Sequence, residues 1–125
     1  MRTIVNTTNA PGAVGPYSQA TVYGGVIYVS GQLPTCPVTN ELIEGDIAKE
    51  THRVMQNIAA IVEAAGSSMD NMLKCTVLLT DIGNFTKVNE VYATYFKGSP
   101  PARICYQVCA LPRGANIEID AICAM

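Results

Sequence analysis

The stretch "DIAKETHRVMQNIAAIVEAAG", residues 46–66, has apolar residues at helical spacing along its whole length. Asp46 can cap the start of this helix, and Gly66 can end it. The stretch therefore predicts a long amphipathic helix with one face on a core. The predicted core-facing residues are Ile47, Val54, Met55, Ile58, Ile61, Val62 and Ala65.

The segments on either side predict strands and one further helix. "YSQATVYGGVIYVSGQ" (17–32) predicts two strands around Gly24-Gly25, and residues 33–45 read as a loop. After the long helix, "LKCTVLLT" (73–80) predicts a strand, and a second helix follows. That helix has Asp81 and Asn84 as possible N-caps, a stripe of Phe85, Val88, Tyr92, Tyr95 and Phe96, and an end at Gly98. Two more strands are predicted at 102–111 and 115–124, so the order is β-β-α-β-α-β-β.

This order predicts an α+β fold in which a mixed sheet of about six strands carries two helices on one face. However, "VIYV", "TVLL" and "AICAM" are apolar on both faces, as in strands that are covered on both sides. Charged residues make up only 14% of the chain, which leaves little charge to cover a small monomer. We therefore expect a symmetric copy of the chain to cover the second face, with a site formed by two chains at that contact.

The composition excludes several classes of protein. A length of 125 residues predicts one domain, residues 1–125, and a net charge of −2 without a basic block argues against nucleic-acid binding. The five cysteines are odd in number and lack C-x-x-C spacing, which predicts free thiols in a reducing compartment. No signal-peptide or membrane-span pattern is present, so we expect a cytoplasmic protein.

Arg103 is the single charged residue in "SPPARICYQVCALP", residues 99–112. Alternation places Arg103, Cys105 and Gln107 on one face, and it places Glu118 and Asp120 together on one face of the next strand. If these adjacent strands present one polar face, Arg103 and a carboxylate form either a structural ion pair or an anion site. Spacing alone slightly favours the ion pair, whereas an anion site would use the guanidinium fork for a carboxylate and Glu118 for water or a proton.

Other residues with possible chemistry have ordinary structural explanations as well. Tyr17 follows a Gly-Pro turn, and Ser30 and Gly31 end a strand where a backbone can approach a ligand. From the pattern alone, an ordinary hairpin aromatic is the favoured explanation of Tyr17, and a simple strand-to-loop turn is the alternative for Ser30 and Gly31. The single histidine, His52, lies among charged helix residues, and Cys105 lies in a buried strand, so neither predicts nucleophilic catalysis. No phosphate-binding loop and no cluster with metal-ligand spacing occurs.

The segments "GPYSQA", "SGQLP", "VNEVYATYF" and "PPARICYQVCALP", followed by "IEIDAICA", resemble the RidA family, also called YjgF, over nearly the whole chain. These proteins are reactive enamine/imine deaminases. The resemblance implies a chorismate-mutase-like α+β fold that assembles as a homotrimer with clefts between subunits. It also implies hydrolysis of 2-iminobutanoate and 2-iminopropanoate to 2-keto acids and ammonia, without a metal or organic cofactor.

The resemblance assigns roles to individual residues. It implies that Arg103 binds the substrate carboxylate, that the backbone of Cys105 helps to hold the ligand, and that Glu118 positions or activates water. Tyr17, Ser30 and Gly31 match cleft residues near the N-terminus, with Tyr17 expected from a neighbouring chain. Asn89 matches an asparagine that lies near the cleft in the family. With these roles the anion site becomes the favoured interpretation of Arg103.

Three residues depart from the family pattern. Ile104 and Cys109 stand where a small residue is usual, and Gln107 is uncharged where many relatives have Glu. Ile104 should point away from Arg103, whereas Gln107 should share its face and alter the charge of the cleft. Some relatives keep the fold without efficient deaminase activity. The alternative function is therefore a non-catalytic trimer that binds keto or imino acids, or a regulator of the translation-inhibitor type; chorismate mutase is suggested by fold alone.

Overall fold

Six strands and two helices make up the fold in a computed structural model that describes all residues, 1–125. Three short 3-10 turns lie between these elements. No helix is long and apolar enough to cross a membrane. The elements are β1 (Thr3–Val5), β2 (Ala20–Tyr23), β3 (Val26–Gln32), α1 (Ile47–Ala64), β4 (Met72–Leu79), α2 (Phe85–Ala93), β5 (Ala102–Gln107) and β6 (Ile117–Ala124).

The six strands form one mixed sheet in the order β1-β2-β3-β6-β4-β5. β4 and β5 run parallel because α2 crosses between them, and every other neighbouring pair is antiparallel. This confirms the predicted α+β class, with about six strands and two helices. Two details differ from the prediction: β1 was not predicted, and β5 ends at Gln107 instead of residue 111.

The last two strands are not neighbours, and the prediction that they are adjacent is wrong. β6 lies between β3 and β4, so β4 separates it from β5. The turn between β5 and β6 therefore crosses over one strand. This topology depends on pairing between distant segments, which strand patterns do not encode.

The core lies between the sheet and α1, as the helical stripe predicts. Asp46 caps α1 by accepting hydrogen bonds from the backbone N–H groups of Ala48 and Lys49, at 3.0 and 3.3 Å. Gly66, with φ +92°, follows the last turn in a left-handed conformation that glycine adopts without strain. The largest fully buried side chains include Met55, Ile58 and Ile61 of α1 and Ile117 and Ile119 of β6. Each stabilises the fold by roughly 1.5–3 kcal/mol through burial of apolar surface.

The opposite face of the sheet, which we call the open face, has no helix over it. Tyr28, Ile104 and Tyr106 are about half exposed there, at 49, 47 and 48% of their surface. The register places Ile104 across β4 from Asp120 and Tyr106 across β4 from Glu118, so all four side chains share this face. A mixed apolar and acidic surface of this kind is typical of an interaction site.

The loop at 33–45 is fastened to α1 by one buried side chain. Asn57 donates from Nδ2 to the carbonyl oxygens of Thr35, at 2.9 Å, and Leu33, at 3.3 Å, and its Oδ1 accepts from Arg53 Nε at 3.1 Å. Asn57 is fully buried, so water cannot replace these bonds. The helix thereby determines where the loop lies.

We predict that Asn57→Ala frees this loop and lowers the free energy of unfolding by about 1–3 kcal/mol, because the buried Thr35 carbonyl loses its donor and the Leu33 carbonyl keeps only its bond from Thr35 N. Hydrogen exchange followed by mass spectrometry should show faster exchange within residues 33–45. Asn71→Ala is the matched control, since Asn71 is exposed and bonds only to Ser67 Oγ at 3.1 Å. Unchanged exchange in the loop of the Asn57→Ala protein would contradict this account.

Candidate functional site

The residues singled out from the sequence lie in two groups. Tyr17, Ser30, Gly31 and Glu118 line one cavity of about 360 Å³, which we call the Glu118 cavity. The second group lies at the outer strand of the sheet and on α2, and we call it the Arg103 edge. It consists of Arg103, Cys105 and Asn89.

The register explains why one chain keeps these groups apart. Arg103 lies opposite Cys75 of β4, which lies opposite Ala121 of β6, and both of these partners are buried on the helix side. Glu118 lies opposite Leu78, on the open face. The expectation that Arg103 and Glu118 share one polar face is therefore wrong within one chain. Alternation is as predicted in each strand, but the register through β4 sets the two faces opposite.

The Arg103 guanidinium is held by neutral groups. Its Nη1 donates to Asn89 Oδ1 at 2.6 Å. Its Cζ lies 5.4 Å from the centre of the Phe85 ring and 5.0 Å from the centre of the Tyr92 ring, within the range of cation–π attraction. The side chain is half-buried, and its hydrogen-bond partner is an amide oxygen instead of a carboxylate. The remaining N–H donors and the positive charge are thus left for an anion.

Sequence patterns did not identify Phe85 and Tyr92 as part of this group. Both belong to the stripe that was predicted as core, and Tyr92 is indeed buried. The available signal was their spacing from Asn89, because residues 85, 89 and 92 share one face of a helix. That face meets β5 where Arg103 emerges.

Cys105 carries a thiol that burial makes less acidic. Desolvation raises its pKa, and the nearby Arg103 opposes this only in part. A thiol with a raised pKa is a poor nucleophile at neutral pH. The structure therefore gives no support to nucleophilic catalysis by Cys105.

Gly31 allows the Glu118 carboxyl group to lie against the backbone. A Cβ at position 31 would overlap Glu118 Oε2 and would lie 2.9 Å from Glu118 Cδ. The pairing of β3 with β6 is irregular between Val29 and Gln32, which places Ser30 and Gly31 in a bulge beside the cavity. A larger residue at position 31 would therefore displace the Glu118 carboxyl group from its present position.

Ser30 and Tyr17 are both fixed by local hydrogen bonds. Ser30 Oγ donates to the Ser18 carbonyl at 2.6 Å, and Ser30 N donates to the Gln19 carbonyl at 3.0 Å. The Tyr17 hydroxyl accepts from Val14 N at 3.4 Å. The Ser30 hydroxyl proton is therefore used to hold this wall of the cavity together.

Glu118 has the properties of a proton carrier. Burial raises the pKa of its carboxyl group, and the negative charge of Asp120 raises it further. A carboxyl group with a raised pKa holds and releases protons closer to neutral pH than an ordinary glutamate does. Glu118 can therefore act as a general acid or base on a molecule in the cavity.

The departures from the family pattern have structural explanations in two cases. Ile104 is on the open face, away from Arg103, as predicted. Gln107 Oε1 accepts from the backbone N–H of Ile82 at 2.9 Å, so this side chain holds the turn before α2. Cys109 is an exposed free thiol outside β5.

Neither a metal site nor a histidine-based site accompanies these groups. No three His, Cys, Asp or Glu side chains lie close enough to hold a metal ion. His52 Nδ1 is 3.0 Å from the Tyr95 hydroxyl, and neither residue lines the Glu118 cavity. Glu118 is the one carboxylic acid among the residues that line the cavity.

Comparisons with known proteins cover almost the whole chain. The sequence model of the family described as Endoribonuclease L-PSP matches residues 7–125. The chain is 48% identical over 122 residues to the 2-iminobutanoate/2-iminopropanoate deaminase of Mus musculus, covering 98% of this chain and 90% of that protein.

Two solved structures give the same result for the fold. A putative endoribonuclease from Thermotoga maritima superposes with a TM-score of 0.97 at 47% identity, covering 100% of this chain and 98% of that one. E. coli TdcF with bound serine superposes with a TM-score of 0.94 at 39% identity, covering 98% of both chains.

The charge of Asp120 gives a prediction for Glu118. We expect Asp120→Asn to lower the pKa of Glu118, because the neighbouring negative charge that disfavours ionisation is removed. A pH titration of the Glu118 carboxyl carbon by ¹³C NMR measures this shift. Asp70→Asn removes a charge outside the cavity and should leave the titration unchanged. A Glu118 pKa that stays the same or rises in Asp120→Asn would contradict the assigned cause.

Proposed function

We propose that this chain, which belongs to the endoribonuclease L-PSP family, also called RidA/YjgF, is a deaminase that hydrolyses reactive 2-imino acids. Its substrates are 2-iminobutanoate and 2-iminopropanoate, and its products are 2-keto acids and ammonia. The observation that carries the proposal is the Arg103 guanidinium, which is preorganised by Asn89 and two aromatic rings without a carboxylate partner. The name of the Mus musculus relative supports the same substrates.

The proposed enzyme is a homotrimer in which each cleft is shared. The Glu118 cavity of one subunit, with Tyr17, Ser30 and Gly31, faces the Arg103 edge of the next subunit. Support comes from the separation of these groups within one chain and from the half-exposed apolar side chains of the open face. A second copy both covers this face and completes the site.

Arg103 binds the substrate carboxylate in a bidentate manner, with the backbone of Cys105 as a further contact. Serine in E. coli TdcF also carries an α-carboxylate, which fits a carboxylate clamp in this family. The clamp places the imine carbon within reach of the Glu118 cavity of the neighbouring subunit. Positioning of this kind supplies much of the acceleration, since a protonated imine is already electrophilic.

Glu118 holds the attacking water and takes one of its protons as the oxygen bonds to the imine carbon. The resulting tetrahedral intermediate carries an amino group and a hydroxyl group on one carbon. Glu118 returns the proton to the nitrogen and the C–N bond breaks. The hydroxyl group gives its proton to Glu118 as the carbonyl forms, and the released ammonia takes up that proton. The sum is one 2-imino acid with a protonated imine and one water giving one 2-keto acid and one ammonium ion. The raised pKa of Glu118 suits both transfers.

We place the enzyme in the cytoplasm. All five cysteines are free, and two of them, Cys75 and Cys123, are buried. Free thiols are typical of a reducing compartment. The reactive imines that the enzyme would remove arise from enamines released by pyridoxal-phosphate-dependent dehydratases, a class that the resemblance implies as the source.

The first test uses 2-iminobutanoate generated in situ from threonine by a dehydratase and trapped by semicarbazide. Added protein should lower the trapped fraction. Arg103→Ala should lower kcat/KM about 100-fold or more, because two charge-assisted hydrogen bonds are lost, and Arg103→Lys should retain part of it. Lys49→Ala, on the exposed side of α1, is the control for loss of a positive charge.

An equal trapped fraction with and without the wild-type protein would contradict a deaminase. If that protein still bound 2-ketobutanoate by calorimetry, the alternative of a non-catalytic keto-acid-binding or regulatory protein would hold instead. Circular dichroism and thermal unfolding of each variant show whether a lost activity comes from a lost fold.

The shared cleft is tested by mixing two inactive proteins. Arg103→Ala and Glu118→Gln chains, unfolded together and refolded at equal amounts, should regain activity in about a quarter of the clefts, because random assembly pairs the two intact residues that often. Light scattering should give the mass of a trimer. No recovery in mixed trimers would show that the two residues do not act across one contact.

A further inference from the structure

The Glu118 cavity contains a second charged side chain that the proposed reaction does not use. Arg113, in the 3-10 turn Pro112–Gly114 before β6, lines the wall of the cavity together with Asn40 of the loop at 33–45. Arg113 Nη2 donates to the Asn40 carbonyl oxygen at 3.0 Å. This bond joins two segments that are distant in sequence at the mouth of the cavity.

Asn40 and Arg113 share an uncommon backbone conformation. They are the two residues other than glycine with positive φ, at 61° and 60°. Asparagine tolerates this region, but for arginine it costs on the order of 1 kcal/mol or more. Such strain is found preferentially at functional sites, and here both residues meet at one wall of the cavity. The conformation fixes the direction in which the Arg113 side chain leaves the turn.

Arg113 keeps most of its hydrogen-bonding capacity. The guanidinium has five N–H donors, and the hydrogen bond to Asn40 goes to a neutral carbonyl. Arg113 is the single basic residue among those that line the cavity. Its planar fork and its charge match a carboxylate.

The cavity is larger than a short imino acid requires. Its volume of about 360 Å³ lies within the range of roughly 300–1,000 Å³ that holds drug-sized ligands. Asn40 and Arg113 line the same cavity as Glu118, so they belong to the wall around an imino acid whose imine carbon lies at Glu118. A longer side chain with a terminal acceptor would reach that wall.

We propose that Arg113, oriented by Asn40, is a specificity-determining residue that binds the distal carboxylate of dicarboxylic 2-imino acids. These are the imino acids that correspond to aspartate and glutamate. The two carboxylates of such a substrate meet two arginines, Arg103 of one subunit and Arg113 of the next. This inference rests on the proposed function, since it takes the imine carbon to lie at Glu118.

The test measures a ratio of two activities with the semicarbazide assay. Flavin-dependent oxidases, with catalase present, generate 2-iminosuccinate from D-aspartate and 2-iminobutanoate from D-2-aminobutyrate. Arg113→Gln should lower the ratio of kcat/KM for 2-iminosuccinate to that for 2-iminobutanoate by about tenfold, through loss of one ion pair. Arg113→Lys should restore part of the ratio, because it keeps the charge. Lys49→Gln should leave the ratio unchanged.

The outcomes distinguish failure of the role proposed for Arg113 from failure of the proposed deaminase function. A wild-type protein that hydrolyses 2-iminobutanoate but not 2-iminosuccinate overturns the role of Arg113 and leaves the deaminase standing. An equal ratio in wild type and Arg113→Gln does the same. Hydrolysis of neither substrate overturns both proposals. Thermal unfolding of Arg113→Gln and Arg113→Lys shows whether the turn keeps its structure, and the Lys variant keeps the test valid if Gln does not fold.

Discussion

The alternation of side chains along β6 is the constraint on which the rest of the molecule depends. β6 lies inside the sheet, so its odd-numbered residues, including Ile117 and Ile119, form the core under α1, and its even-numbered residues, Glu118 and Asp120, face the other way. A slip of one residue would bury two carboxylates under the helices, at a cost of several kcal/mol each. Core packing therefore fixes the position of Glu118 as firmly as it fixes the isoleucines.

The energetics of Arg103 follow from its place in the outer strand. A buried guanidinium without a counterion would be strongly unfavourable, but Arg103 keeps part of its surface in water. The rings of Phe85 and Tyr92 attract the cation, and Asn89 orients it, without neutralising it. The edge thus holds a charge in a defined direction at a modest cost, which is what an anion clamp requires.

Much of the fold could be predicted from the sequence because its elements have clear local patterns. The stripe of α1, its cap at Asp46 and the alternation of β5 and β6 are local properties and are confirmed. β1 was not predicted, because three residues that pair only with β2 carry too short a pattern. The pairing of β5 and β6 with β4 is non-local, and its register decides that Arg103 and Glu118 lie on opposite faces.

The candidate site could likewise be predicted only where local sequence patterns or the resemblance identified its residues. Tyr17, Ser30, Gly31 and Glu118 were candidates from the sequence pattern, the family resemblance assigned their roles, and the structure brings them to one cavity. No sequence pattern singled out Arg113, because arginine is common in exposed turns. Its left-handed backbone and its bond to Asn40 become visible only when the loop at 33–45 lies against the turn before β6.

A cleft shared between subunits would make assembly and chemistry parts of one process. Glu118 lies on the face that lacks a helix, so the contact that buries Tyr106 and Ile104 would also remove water from around this carboxyl group. That desolvation would raise the pKa of Glu118, while a guanidinium from the next subunit would oppose the rise. With the substrate carboxylate bound to the guanidinium, this opposition would weaken and Glu118 would become a stronger base. Substrate binding thus would prepare the proton acceptor that the attacking water needs.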